Sequence, residues 1–135
     1  MVSVDAPDYL AYQYRTYSLP VAVAKANDSV HKVTANINLP VGILRGCIII
    51  FPPGCERHVY AQLFHGGTQV VPYVAGSYLC EDGFTFDLSR DKIYEEIPNW
   101  AMGFSVIAWN DNNTTVEVDW PHTLGWYFFV EVGGI

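Results

Sequence analysis

The chain carries little charge, and most of that charge is negative. Charged residues make up 16% of its 135 residues, with seven Lys and Arg against fourteen Asp and Glu, so the formal net charge is −7 at pH 7. Clustered basic residues, which neutralise phosphates in DNA or RNA and attract proteins to anionic membranes, are lacking. We therefore expect neither a nucleic-acid partner nor a membrane partner.

Long apolar runs and a complete set of cysteine pairs are also lacking. No stretch reaches the ~18–20 apolar residues of a membrane-spanning helix. The first residues, "MVSVDAPDYLAYQYRTY", contain neither the basic nor the apolar region of a signal peptide. The missing signal peptide predicts synthesis in a cytoplasm. The three cysteines, Cys47, Cys55 and Cys80, cannot form a complete disulfide framework; one pair is possible, but we expect reduced thiols.

Motifs that carry catalysis are scarce. A metal site of the cupin type needs a His-x-His pair, but His58 and His65 are seven positions apart and cannot share a strand face. There is no G-x-S-x-G elbow and no glycine-rich phosphate loop. We expect no enzyme activity, no catalytic residue, no metal and no cofactor.

Two weaker binding signals leave alternatives open. The oxygen-rich run "NDNNTT" at 110–115 could hold Ca²⁺, although it lacks the spacing of an EF-hand and also suits a hairpin turn. The tryptophans could form a sugar-stacking platform or could be core and interface residues, which is the interpretation we favour. They are Trp100, Trp109, Trp120 and Trp126.

What the sequence does contain is a series of short strand patterns. "KVTANINL" (32–39) alternates apolar and polar residues, and "GILRGCIIIF" (42–51) is an apolar run that predicts a strand buried on both faces. Gly66-Gly67 and Asp82-Gly83 are tight-turn signals. Further strands are predicted within 17–24, 58–64, 68–74, 77–88, 102–110, 114–120 and 124–132.

Eight or nine such strands in one chain predict an all-β protein. We expect a single antiparallel β-sandwich over 17–135, most simply a jelly roll, with an immunoglobulin-like sandwich as the alternative. Residues 89–97 could add one helical turn, which Pro98 would end. Residues 1–16 are expected to form an N-terminal arm.

The arm and one corner hold the candidate structural residues. The arm is too aromatic for a solvated tail, so we expect Tyr9, Leu10, Tyr12 and Tyr14 to pack against another subunit. An arm folded over its own sandwich is the alternative. A structural corner is predicted at the end of the 42–51 strand because two prolines stop strand pairing and a glycine permits the turn. Its residues are Phe51, Pro52, Pro53 and Gly54.

The motifs taken together resemble small single-domain β proteins encoded among the virion structural genes of tailed bacteriophages. The resemblance covers about residues 40–132. It is carried by turn motifs, namely Phe51-Pro52-Pro53-Gly54, Gly66-Gly67, Gln69 with Pro72, Trp109-Asn110 and His122.

The resemblance implies a non-enzymatic virion protein that decorates or cements a capsid, or occupies another repeated position on the particle. Its partners would be the major capsid protein or itself, as a homo-oligomer with a trimer favoured. It would be made in the host cytoplasm and end in the virion. The alternative is a carbohydrate- or receptor-binding β-sandwich module, on a tail fibre or secreted.

Overall fold

The computed structural model describes residues 12–55, 57–88, 95–97, 103–111 and 122–133. Within these ranges the chain is all β, and no helix there is long and apolar enough to cross a bilayer. The strands are β1 Tyr12–Val23, β2 Val33–Ile37, β3 Gly42–Phe51, β4 Val59–His65, β5 Thr68–Val71, β6 Leu79–Cys80, β7 Phe84–Leu88, β8 Glu95–Ile97, β9 Phe104–Asn110 and β10 His122–Gly133.

The strands form two antiparallel sheets whose pairing is nested. The first sheet has the order β1-β10-β3-β7, with β8 also pairing with β3. The second has the order β2-β9-β4-β5, with β6 also pairing with β4. The first and last strands, β1 and β10, therefore pair with each other in one sheet, and β2 and β9 pair in the other. The pairing continues in this way toward the middle of the chain. This is a long hairpin rolled into a sandwich, and the predicted jelly roll is confirmed.

The core lies between the sheets and explains the alternation in the strands. Along β10 every second side chain from His122 to Val132 is buried, because successive residues of a strand point to opposite faces. The largest fully buried side chains are Trp126, Phe51, Phe104, Phe128, Leu44, Ile49, Leu63, Ile97 and Leu124.

The apolar run at 42–51 forms β3 over the predicted residues, but the prediction that both of its faces are buried is wrong. Cys47, Ile49 and Phe51 point into the core, whereas Ile50 is 37% exposed on the outer face. The run is apolar because β3 lies inside a five-stranded sheet. The neighbouring strands flank β3 but do not cover its outer surface.

Strand bounds differ from expectation near the N-terminus and near residue 95. Residues 12–16, assigned by sequence to the arm, belong to β1 and pair with Gly133–Phe129 of β10. The apolar residues of this strand change from even positions, Tyr12 and Tyr14, to odd positions, Tyr17 and Leu19. This change interrupts the alternation of apolar and polar residues that indicates a strand. Glu95–Ile97 pairs with β3 instead of forming a helical turn. Tyr9 and Leu10 lie outside the described residues.

Candidate interaction surface

The proline corner after β3 buries the apolar side chains at its two ends. Phe51 and Cys55 are buried at its two ends, and Gly54 between them has a φ of 104°, a region that side chains with a Cβ rarely enter. The Gly54 N–H donates a hydrogen bond to Asp82 Oδ1 at 2.8 Å, and the Gly83 N–H donates to the Pro52 carbonyl at 3.3 Å. The Asp82-Gly83 signal therefore marks a crossing between sheets, from β6 to β7, that clamps the corner.

His58, His65 and His31 each contact a different residue. His58 Nδ1 lies 3.5 Å from Asp111 Oδ1, while the His65 ring stacks on Phe104 with centroids 4.2 Å apart. His31 Nδ1 lies 2.9 Å from Asp28 Oδ1, and the N–H groups of His31 hold the pKa of that carboxyl below its usual value. Within the described ranges no group of three His, Cys, Asp or Glu side chains could hold a metal. Most of the candidate calcium run lies outside those ranges.

An aromatic cluster covers part of the outer face of the second sheet. Trp109 stacks on Tyr60 at 5.4 Å, Tyr78 packs edge-on against both rings, and Lys32 Nζ lies 4.1 Å from the centre of the Trp109 ring. With these neighbours Trp109 is only 8% exposed.

The described tryptophans therefore do not form a sugar-stacking platform. Trp126 lies wholly within the core, and the faces of Trp109 are occupied by side chains of this chain. Trp100 and Trp120 lie outside the described residues.

Burial and, after it, the Asp111 carboxylate raise the pKa of two groups beside this cluster. Burial, followed by a hydrogen bond to Asp111 and the charge of that carboxylate, raises the pKa of Tyr60 to about 12. Burial, then the charges of Asp111 and Glu81, raises the pKa of the Cys80 thiol. The Cys80 Sγ donates to the Arg57 carbonyl at 2.9 Å. Both groups therefore stay protonated at neutral pH.

The segment between β5 and β6, which we call the 72–78 loop, is braced by two glutamine side chains. Gln69 Nε2 lies 2.9 Å, 3.3 Å and 2.8 Å from the carbonyl oxygens of Pro72, Val74 and Ser77, and Gln69 Oε1 accepts from the Gly76 N–H at 2.9 Å. Gln62 Nε2 donates to the Ser77 carbonyl at 2.9 Å.

Further contacts fix the C-terminal half of the same loop. The Ser77 N–H donates to the Val74 carbonyl at 3.1 Å, and the Ser77 hydroxyl donates to the same oxygen. Tyr78 then anchors the exit of the loop on Tyr60 and Trp109. The loop is therefore braced by Gln62 and Gln69 of the sheet beneath it and by its own Ser77 and Tyr78.

This rigid loop presents its apolar side chains to solvent. Tyr73 is 90% exposed and Val74 is 69% exposed, and residues 66–80 include no charged residue. Sequence reasoning missed this surface and read 68–74 as one strand. The sequence motif of Gln69 followed three positions later by Pro72 was the signal that could have revealed it.

A second apolar surface, which we call the outer patch, lies on the outer face of the first sheet. It consists of Ile48, Ile50, Gly125 and Tyr127, because Tyr127 pairs with Ile48 and Gly125 pairs with Ile50. Ile50 and Tyr127 are 37% and 38% exposed. A Cβ built on Gly125 would lie 3.4 Å from Tyr127 Cε2 and 3.7 Å from Ile50 Cβ, so both side chains close over the glycine.

Charges border the outer patch without entering it. Asp87 pairs with Ile48 at one side, and an Arg45–Glu131 ion pair with an N–O distance of 3.0 Å lies further along the sheet. The four residues of the patch are themselves uncharged.

The strand pairing defines a jelly-roll β-sandwich. No family model and no curated protein matches the sequence. Among solved structures, the chain is similar to the cyanophage Pam1 capsid asymmetric unit, with a TM-score of 0.47 and 10% identity over 90% of this chain and 84% of that chain.

A second similar structure is the infectious bursal disease virus VP2 subviral particle, with a TM-score of 0.33 and 11% identity over 88% of this chain. The match covers 32% of the VP2 chain. At such TM-scores and identities neither likeness carries an argument about function.

Proposed function

We propose that this chain is a structural subunit of a virus particle, of the type that decorates or cements a capsid and acts through protein–protein contacts. The observation that carries the proposal is the 72–78 loop, which holds Tyr73 and Val74 exposed in a conformation fixed by Gln69 and Gln62. The jelly-roll topology and the resemblance of residues 40–132 to phage virion proteins support it.

Such a subunit works by burying apolar surface against its neighbours. Aromatic residues dominate the energetics of protein interfaces because they bury a large area at a small entropic cost. A loop whose backbone is already ordered loses little further entropy on docking. The braced loop therefore suits a repeated contact better than a loop that must order on binding.

We further propose that the N-terminal arm contributes to assembly, through Tyr9, Leu10, Tyr12 and Tyr14 packed against a neighbouring subunit, in an oligomer for which a trimer is favoured. Since β1 pairs with β10 from Tyr12 onward, Tyr12 and Tyr14 act from the edge strand of the first sheet, and only the residues before Tyr12 leave the sandwich. We propose one sandwich domain for the subunit, which begins with β1 at Tyr12 and not at residue 17 as the sequence predicts.

Co-expression with the genes that flank the chain's own gene tests the virion role. We expect the chain to band with assembled particles in a density gradient, in a fixed ratio to the major capsid protein. Val74→Ser should remove it from the particle band. Val30→Ser is the matched control, because Val30 is an equally apolar residue that is 80% exposed elsewhere. A chain that stays at the top of the gradient as a monomer contradicts the proposal.

Deleting residues 1–11 tests the part of the arm that holds Tyr9 and Leu10, because the cut leaves β1, with Tyr12 and Tyr14, complete. The truncated chain should keep the thermal stability of the full chain and lose oligomerisation or particle binding. If its melting temperature falls while binding survives, the arm belongs to its own sandwich.

A further inference from the structure

We propose that the 72–78 loop of one copy of this chain docks on the outer patch of a second copy. The proposal goes beyond a role in virus particles, because it concerns contact between copies of the purified chain. It stands or fails without any particle.

Charge favours these two surfaces as the places where copies meet. Two copies with a net charge of −7 repel each other, and contact is least opposed where neither surface carries charge. Residues 66–80 contain no charged side chain, and neither do Ile48, Ile50, Gly125 and Tyr127. Salt at physiological concentration screens the more distant charges over about 8–10 Å, which further permits this contact.

Both surfaces are also apolar. The loop projects Tyr73 and Val74 from a braced backbone, while the patch is the surface of a sheet on which Ile50 and Tyr127 stand side by side over Gly125. Burying exposed apolar area of this kind contributes about 25 cal/mol per Å². Because the chain offers both the projecting and the receiving surface, a second copy is the partner that these observations specify.

The two surfaces occupy different sheets, and this fixes the type of contact. The loop follows β5 in the second sheet, whereas the patch is formed by β3 and β10 of the first sheet. A contact between unlike surfaces is heterologous, so each copy keeps one free loop and one free patch after the first contact. Association therefore continues into a closed ring or a longer chain.

A complementation experiment tests this arrangement in the purified protein. The loop variant carries Tyr73→Ser and Val74→Ser, and the patch variant carries Ile50→Thr and Tyr127→Thr, which retain residues that suit a strand. Val30→Ser is the surface control. Circular dichroism and thermal melting confirm that each variant is folded, and sedimentation velocity over a range of concentrations measures association.

We expect wild type and Val30→Ser to form larger species as concentration rises. Each double variant alone should associate at least about tenfold more weakly. An equal mixture of the two variants should form a species of two chains and stop there. One intact loop, on the patch variant, then meets one intact patch, on the loop variant.

Three results would overturn the proposal: a wild type that is monomeric throughout, a patch variant that associates like wild type, or a mixture that stays monomeric. If the patch variant does not fold, Thr85→Glu replaces it. Thr85 is exposed and pairs with Ile50, so a carboxylate there adds charge beside the patch without touching the core. Association of Thr85→Glu at the wild-type level counts against the proposal in the same way.

Discussion

Two proline-containing connections in this sandwich are built alike and directed oppositely. The corner after β3 buries Phe51 and Cys55, while the 72–78 loop after β5 exposes Tyr73 and Val74. Both are fixed by hydrogen bonds with one side chain: the Gly54 N–H of the corner donates to Asp82, and Gln69 bonds to carbonyl groups and an N–H group of the loop that follows it. A connection fixed by hydrogen bonds therefore need not belong to the core. The direction of its apolar side chains decides whether it contributes to the core, as in the corner, or is available to a partner, as in the loop.

The largest expected effect separates the two connections by stability. Phe51→Ala should lower the free energy of unfolding by about 3–5 kcal/mol, because it removes a fully buried ring. Tyr73→Ala should change the same quantity by less than about 0.5 kcal/mol, because the ring already lies in solvent. Urea unfolding measures both. Comparable losses in the two variants would mean that the loop belongs to the core.

A smaller effect is expected from the backbone of the corner. Gly54→Val should destabilise by on the order of 1–3 kcal/mol, since valine does not easily adopt a φ of 104°. Gly67→Val is the matched control. A Cβ at Gly67 meets nothing within 4 Å, and its φ is not in the left-handed region. Equal stability of the two variants would remove the conformational role of Gly54.

The bracing of the loop gives a third test. Gln69→Ala should lower stability by about 1 kcal/mol, the net worth of a typical hydrogen bond, and should weaken association because Tyr73 and Val74 are no longer held in place. Gln69→Glu is an informative companion: it keeps an acceptor for the Gly76 N–H but cannot donate to the carbonyl groups. Sedimentation velocity measures the association. Unchanged association in Gln69→Ala contradicts preorganisation of the loop.

The smallest effect is expected on the reactivity of the Cys80 thiol, which donates a hydrogen bond to the Arg57 carbonyl. Along the chain, Arg57 follows the corner and Cys80 follows the 72–78 loop. Asp111→Asn removes a negative charge that helps to raise the Cys80 pKa, so it should increase the thiolate fraction and the rate of alkylation at pH 8. Peptide mass spectrometry assigns the labelled residue.

Cys47 is the internal control for this labelling. Burial raises its pKa to about 12, so it should stay unlabelled in native wild type and variant alike. An unchanged or slower rate at Cys80 would show that Asp111 does not act on the thiol.

The sequence predicts those parts of this molecule that depend on neighbours along the chain. The apolar run at 42–51 and the Gly66-Gly67 turn correspond directly to β3 and to the β4–β5 hairpin. The N-terminal part of β1 was not predicted because its tyrosines change from even to odd positions. Asp82-Gly83 was recognised as a turn, but its crossing between sheets depends on the pairing of β7 with β3.

The two exposed apolar surfaces were not predictable because they depend on tertiary placement. An outward Ile50 and an inward Ile49 are equivalent in composition, and only what covers the sheet distinguishes them. Gln69 braces the loop because Tyr78 returns to Tyr60 and brings the Ser77 carbonyl within reach. No local pattern specifies that return.

Hydrogen–deuterium exchange across a concentration series tests the central claim most directly. It compares the corner and the loop in the same sample, without any substitution. Peptides covering the 72–78 loop should gain protection as copies associate, while peptides covering residues 51–58 should be protected equally at every concentration. Loop peptides that exchange at one rate throughout, while protection appears elsewhere on the chain, would contradict the assignment of the loop as the docking element.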